Sequence, residues 1–141
     1  MAVTQEFNAR QFTYRGADIA QVVHKLAEPE FNQLPFGAIL LDNDTKILRY
    51  NATEGAITNR DPRVQPGKFF FKDLAHCGFN PHFQGRFQEA VGRDGYDQTF
   101  PYVFYNAMPE TPMIVRIVSV PLSPIKRGAW VFVKRMPVPA A

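Results

Sequence analysis

The chain is poor in cysteine and has no long apolar run, and these two shortages exclude internal disulfides and membrane-spanning helices. Cys77 is the single cysteine among 141 residues, so no disulfide can form within the chain and its thiol remains available for chemistry. No stretch approaches the roughly 20 apolar residues of a membrane span, and charged side chains interrupt residues 1–30, where a signal peptide would need an apolar core. We therefore expect a cytoplasmic protein with no membrane partner.

The charge pattern gives no sign of a nucleic-acid partner either. The formal net charge is +3, and acidic and basic residues are interspersed along the chain. The densest basic pairs are Lys126 with Arg127 and Lys134 with Arg135, and no helix-turn-helix, zinc-finger or ribonucleoprotein signature accompanies them. We expect these charges to be solvated surface.

Length and composition indicate one domain. An apolar fraction of 45% over 141 residues is enough for a single packed core, and 13% of the residues are aromatic. Such an aromatic content suits a β-rich core or a pocket for a flat ring, although a core alone also explains it. We expect residues 1–30 to form an N-terminal cap and residues 31–141 to form the core of the same domain.

The first half of the chain predicts a short helix followed by a β-hairpin. Apolar residues recur at helical spacing after Asp18, and residues 28–30, with a central proline, are expected to end that helix. Residues 36–41 are an apolar run typical of a buried strand, and residues 47–50 are expected to be its hairpin partner after a turn at 42–44.

A second short helix is predicted directly after the hairpin. Asn51 has the position of a helix N-cap, and Glu54 follows three residues later, which is the spacing of a capping box. This pattern predicts a helix over residues 52–57. The alternative is that the Glu54 side chain faces inward.

The second half of the chain predicts an α+β plan. A brief helical turn is expected at 68–73, and apolar residues at every fourth position from Phe83 predict a longer helix that ends near Gly92 or Gly95. Pro101 places the first of the later strands at an edge or a bulge. The β-rich stretches that close the chain are 99–106, 113–122 and 129–136.

This order of elements resembles the PAS fold, and several short motifs resemble one family with that fold, the photoactive yellow proteins. The motifs occur in the family's order and spacing between about residues 18 and 135. They are FGAI at 36–39, YNATEG at 50–55, ITNRDP at 57–62, GK at 67–68, FFKD at 70–73, AHC at 75–77 and WVFVKR at 130–135. The combination is far more specific than any one of its parts.

The resemblance implies a fold and a function. The fold would be an α+β PAS fold, with a five-stranded antiparallel sheet, helices on one face and an N-terminal helical cap. The chain would be a blue-light photoreceptor and not an enzyme, with 4-hydroxycinnamic acid (p-coumaric acid) attached to Cys77 as a thioester. It would be a monomer or a weak dimer that signals to an unknown downstream protein, and no metal is implied.

The resemblance also implies the roles of the residues around the ring. The phenolate would be buried between Tyr50 and Glu54, Thr58 would hydrogen-bond Tyr50, and Arg60 would cover the pocket as a gate. The positions that would line the ring are Phe70, Phe104 and Met108. Trans–cis isomerisation would be followed by proton transfer from Glu54 and rearrangement of the N-terminal cap.

These residue types suit that chemistry. A buried phenolate is costly unless hydrogen bonds replace its water, and Tyr50 and Glu54 can supply them. Glu54 can donate only when protonated, and burial beside an anion favours the neutral form of a carboxyl group. After proton transfer we expect its carboxylate to be buried without a partner, a strain that release of the cap relieves.

Two other functions remain open from the residues alone. One is a PAS module that binds a ligand such as haem or flavin, or a partner protein, without a covalent chromophore. The other is a cysteine-dependent enzyme, because His76 adjoins Cys77 and His24 and His82 could act as bases. Sequence neighbours rarely face each other as nucleophile and base, and no cysteine-hydrolase signature surrounds Cys77.

The chain departs from the usual family pattern at three positions. His76 occupies the place of a proline, Asn59 that of a glycine, and Asn106 that of a tyrosine near the ring. No required group is lost. We expect the changes to affect colour and kinetics, since Asn106 alters the polarity near the ring and His76 can titrate near neutral pH.

Overall fold

A computed structural model describes residues 8–74, 82–104 and 111–135, of which a few side chains are not described. In these residues a five-stranded antiparallel sheet has the strand order β2-β1-β5-β4-β3, which confirms the predicted fold class. The strands are β1 Gly37–Asp42, β2 Ile47–Tyr50, β3 Asp97–Phe104, β4 Thr111–Ser123 and β5 Lys126–Arg135. Pro101 lies in β3, which is an edge strand, as its missing N–H requires.

The helices are short and lie mostly before β3. The α-helices are α1 Ile19–His24, α2 Glu28–Phe31, α3 Ala52–Thr58 and α4 Gln84–Gly92. One-turn elements add 3-10 turns at Ala9–Gln11 and Pro62–Val64 and a π-helical turn at Phe70–Leu74.

One sequence prediction about these helices is wrong. Residues 28–30 were expected to end the first helix, but α1 already ends at His24 and Glu28–Phe31 forms α2. Pro29 lies in the first turn of α2, where a proline is tolerated because the N–H that it lacks would have no partner within the helix. The proline therefore opens a helix here.

The sheet is covered on both faces. Because side chains alternate along a strand, β1 and β5 divide their apolar residues between two clusters. One cluster contains α4 and the π-helical turn, packed through Phe70, Phe71, Phe83 and Phe87 on Ile39, Leu41, Val131 and Val133. The other contains the N-terminal segment, packed through Ile19, Val23, Phe31 and Leu34 on Ala38, Leu40, Trp130 and Phe132.

Two arginines of the sheet attach this N-terminal cap by hydrogen bonds to its backbone. Arg116 in β4 donates to the Tyr14 carbonyl at 2.8 Å and the Gly16 carbonyl at 2.7 Å, and it pairs with Asp97 at 2.6 Å. Arg49 in β2 donates to the Leu26 carbonyl at 3.1 Å. Both contacts join residues far apart in sequence, so they fix where the cap lies on the sheet.

None of the helices in the described residues has the length and apolar character needed to cross a membrane.

Candidate functional site

Asn51 fixes the start of α3 against the first residues of β1. Its side-chain oxygen accepts from the backbone N–H of Glu54 at 3.1 Å and from that of Ala38 at 3.0 Å. Its amide nitrogen donates to the Phe36 carbonyl at 3.0 Å, and the residue is fully buried. The predicted N-cap is therefore present, and it also joins the helix to the sheet.

Glu54 faces inward, which is the alternative to a reciprocal capping box. The N–H that such a box would bind, that of Asn51, donates instead to the Ala38 carbonyl at 3.1 Å. The Glu54 carboxylate lies beside Gly37 and accepts from Arg135 at 3.0 and 3.3 Å. A Cβ at residue 37 would overlap the Glu54 Oε2 atom, so the glycine makes room for the carboxylate.

This ion pair differs from what the sequence suggested. A Glu54 carboxylate was expected to be buried without a partner, yet Arg135 lies beside it and both side chains are largely covered, at 14% and 5% exposed. Arg135 belongs to the WVFVKR motif and Gly37 to the FGAI motif, but neither was singled out as a site residue. Their proximity to Glu54 depends on tertiary structure, because Arg135 is 81 residues away in sequence.

Tyr50 is buried at the end of β2 with its hydroxyl 2.9 Å from Thr58 Oγ1. Thr58 Oγ1 donates its single proton to the Glu54 carbonyl at 2.7 Å, so Tyr50 is the donor in the first contact. Burial raises the pKa of Tyr50, the negative Glu54 raises it further, and Thr58 and Arg60 oppose the change. The phenol therefore stays protonated and able to donate.

Arg60 and Phe70 lie around this group. The Arg60 guanidinium is half-buried and donates to the Leu74 carbonyl at 3.0 Å, three residues before Cys77 in sequence. Phe70 is buried, with its ring centroid 5.0 Å from that of Phe71 and 5.8 Å from that of Phe83. Tyr50, Glu54, Thr58, Arg60 and Phe70 thus occupy the region between α3, the π-helical turn and the sheet.

Other predicted site residues cannot be located in the same way. Cys77 and Met108 lie outside the described residues, as do His76 and Asn106, and Phe104 is described only as the last residue of β3. Asn59, in the place of a glycine, ends α3 with φ 55° and ψ 45°, a left-handed conformation that asparagine tolerates better than most residues.

His24, one of the bases considered for a cysteine-dependent enzyme, lies in the cap, on the face of the sheet opposite to Tyr50. His24 Nδ1 accepts from the Trp130 indole at 3.2 Å, and Trp130 packs in the cluster with the cap. Tyr50 belongs to the opposite cluster. His24 is therefore separated from Tyr50 and Glu54 by the sheet.

Comparisons with known proteins identify relatives along most of the chain. No protein-family model matches it. The photoactive yellow protein of Halochromatium salexigens is 40% identical over 119 residues, which cover 84% of this chain and 93% of the relative. That of Rhodothalassium salexigens is 38% identical over 124 residues, with coverages of 84% and 93%.

Solved structures agree with the sequence relatives. The photoactive yellow protein domain of the sensor histidine kinase Ppr from Rhodospirillum centenum superposes with a TM-score of 0.72 at 32% identity, covering 81% of this chain and 97% of that domain. The PAS domain of an HTR-like protein from Haloarcula marismortui has a TM-score of 0.61 at 16% identity, covering 84% and 94%. The second likeness shows the fold alone.

Proposed function

The chain belongs to the photoactive yellow protein family of blue-light photoreceptors, and on that basis we propose that Cys77 carries 4-hydroxycinnamic acid as a thioester. The observation that carries this proposal is the buried Tyr50, whose hydroxyl lies 2.9 Å from Thr58 Oγ1 and whose side chain belongs to the same buried cluster as Phe70, Phe71 and Phe83. In the described residues, the donors and the aromatic side chains occur together on a fold of this family, and Cys77 follows three residues after Leu74 in sequence.

The donor set fits a ring that carries a buried phenolate. Such an ion needs strong hydrogen bonds in place of water. The raised pKa of Tyr50 keeps its proton available, and the hydroxyl can rotate to turn that proton away from Thr58. Glu54 can be the second donor once its carboxyl group is protonated, and the Arg60 cation lies close enough to Tyr50 to act on its pKa.

When bound, the hydroxycinnamoyl group supplies visible absorption and a double bond that isomerises from trans to cis in light. The protein's own part is to hold and then move one proton. Glu54 keeps a proton on its carboxyl group in the dark and releases it after illumination. A negative charge then appears on a side chain that is 5% exposed and that can no longer donate a hydrogen bond, so the contacts that depended on its proton have to change.

The proposed signal is rearrangement of the N-terminal cap. The cap covers the sheet face that carries Trp130 and Phe132, and its attachment includes the arginine contacts of Arg49 and Arg116. The described residues of the cap contribute no strand to the sheet, so the cap can open locally without unfolding the sheet. A downstream signalling protein would read the change, with neither nucleic acid nor a membrane as partner.

Two measurements test this proposal. After incubation with activated 4-hydroxycinnamic acid, intact-mass analysis should show one added hydroxycinnamoyl group on the unsubstituted chain and none on Cys77→Ala. In the loaded protein, Glu54→Gln should shift the absorption maximum and alter the photocycle, because the Gln amide donates a weaker hydrogen bond and does not release a proton as a carboxyl group does. An unchanged maximum and photocycle would show that Glu54 does not face the ring.

A further inference from the structure

The Glu54 carboxylate has a charged partner that the proton-transfer scheme does not use. Arg135 Nη2 lies 3.0 Å from Oε1 and Nη1 lies 3.3 Å from Oε2, so the guanidinium binds both carboxylate oxygens. Paired contacts of this kind are the strong, geometrically specific form of an arginine–carboxylate interaction. The side chains are 14% and 5% exposed, which limits screening by solvent and salt.

Both partners are held in place by regular structure. Glu54 sits in the first turn of α3, whose start is bound to β1 through Asn51. Val133 pairs with Gly37 across β5 and β1, and Arg135 follows two residues later on the same face of β5. Gly37 leaves the space that the carboxylate occupies between them. The geometry is therefore built by the fold.

Glu54 thus needs two partners in two protonation states. A protonated carboxyl group can donate to a phenolate, whereas a guanidinium pairs with the carboxylate. Both demands cannot be met at once by the same charge state of Glu54. The pair seen here is the arrangement for the charged form.

We propose that Arg135 binds the Glu54 carboxylate once Glu54 has released its proton, and that this ion pair holds the signalling state. The inference rests on the proposed function and deepens it. In the step, the O–H bond of the Glu54 carboxyl group breaks, the proton passes to the phenolate oxygen, and the electron pair stays on the carboxylate. The negative charge is then paired with the guanidinium, and Arg135 acts as a positioning residue for Glu54.

The pair itself can be tested in the chain without chromophore. A double-mutant cycle uses Glu54→Gln, Arg135→Gln and the double variant, with the midpoint of urea unfolding as the measurement. The control cycle is Asp94→Asn with Arg127→Gln, an ion pair that also involves β5 but has an Asp94 side chain that is 90% exposed. We expect clear non-additivity for the first cycle and near-additivity for the second. Additive effects in the first cycle would overturn the inference.

The role in signalling is tested in the loaded protein by the rate of dark recovery. Arg135→Gln removes the partner of the carboxylate, so the bleached state should recover about tenfold faster, as loss of one charged hydrogen bond implies. Arg127→Gln should change the rate by less than about twofold. In a Glu54→Gln background, Arg135→Gln should have no further effect.

An infrared measurement separates this role from a merely structural one. In the bleached state, the carboxylate stretch of isotope-labelled Glu54 should shift when Arg135 is replaced by Gln and stay unchanged in Arg127→Gln. If the loaded protein bleaches normally but Arg135→Gln recovers at the unsubstituted rate with an unshifted carboxylate band, the inference is refuted and the proposed function stands. If no visible band forms in the unsubstituted chain, the proposed function and the signalling role of Arg135 both fail. The double-mutant cycle in the chain without chromophore then tests only whether Glu54 and Arg135 form an ion pair.

Discussion

Replacement of Asn51 by Ala should destabilise the chain more than loss of an ordinary helix cap. Loss of the cap to the Glu54 N–H costs about 1 kcal/mol. The Ala38 N–H and the Phe36 carbonyl, both in buried residues, would lose their Asn51 partner at about 1–3 kcal/mol each. The sum, about 3–7 kcal/mol, is a large part of the roughly 5–15 kcal/mol that stabilises a typical domain.

The assay is urea unfolding of the chromophore-free chain, followed by circular dichroism. Asp61→Ala is the matched control, because Asp61 caps the Pro62–Val64 turn through the Arg63 N–H at 2.9 Å but does so in solvent. Asn51→Ala should lower the free energy of unfolding by several times the effect of Asp61→Ala. Equal effects would mean that Asn51 is only a local cap and does not anchor α3 to the sheet.

Four further outcomes follow from the same structure. Thr58→Val should raise the pKa of Tyr50 further, because the Thr58 hydroxyl can turn from the Glu54 carbonyl and donate to the Tyr50 phenolate, which lowers that pKa. A tyrosinate absorbance titration compared with Tyr50→Phe measures the change. The folded-state pKa of Tyr50 is raised above the ordinary value of 10.0, so the stability that Tyr50 contributes is complete below pH 10.0 and is lost as the pH rises further. Tyr50→Phe has no such group and should therefore lose less stability than the unsubstituted chain in alkaline urea titrations. Arg116→Gln should loosen the cap, so limited proteolysis should become faster near residues 14–16 and change little around α4. An equal increase in the proteolysis rate at the two places would argue against a cap-specific contact. Asn59→Gly should be neutral or mildly stabilising, because glycine tolerates a φ of 55°. Asn59→Val should cost about 1 kcal/mol or more, because valine does not tolerate that φ. Similar unfolding midpoints for the two variants would contradict this.

Local patterns predicted most of the fold because they depend on near neighbours. The apolar run at 36–41 corresponds to β1, and the Asn51 cap begins α3 as its spacing indicated. Pro29 was misread because a proline is compatible both with the end of one helix and with the first turn of the next. The choice depends on packing of Phe31 against Trp130, which is not a local property.

The site was predictable as a set of residue types but not as a set of partners. The family motifs identified Tyr50, Glu54 and Thr58, and the structure brings the three together. The pairing of Glu54 with Arg135 arises from strand register and from the space at Gly37, neither of which leaves a periodic signal in the sequence. Partner choice for a buried charge therefore required the tertiary structure.

The most direct test of the central claim is an absorption spectrum of the chain reconstituted with activated 4-hydroxycinnamic acid, recorded before and after blue illumination beside Cys77→Ala. The account predicts a visible band that requires Cys77, bleaches in blue light and returns in the dark. If the unsubstituted chain forms no red-shifted band, or an equal one without Cys77, the site does not hold a thioester-linked phenolate and the claim is contradicted.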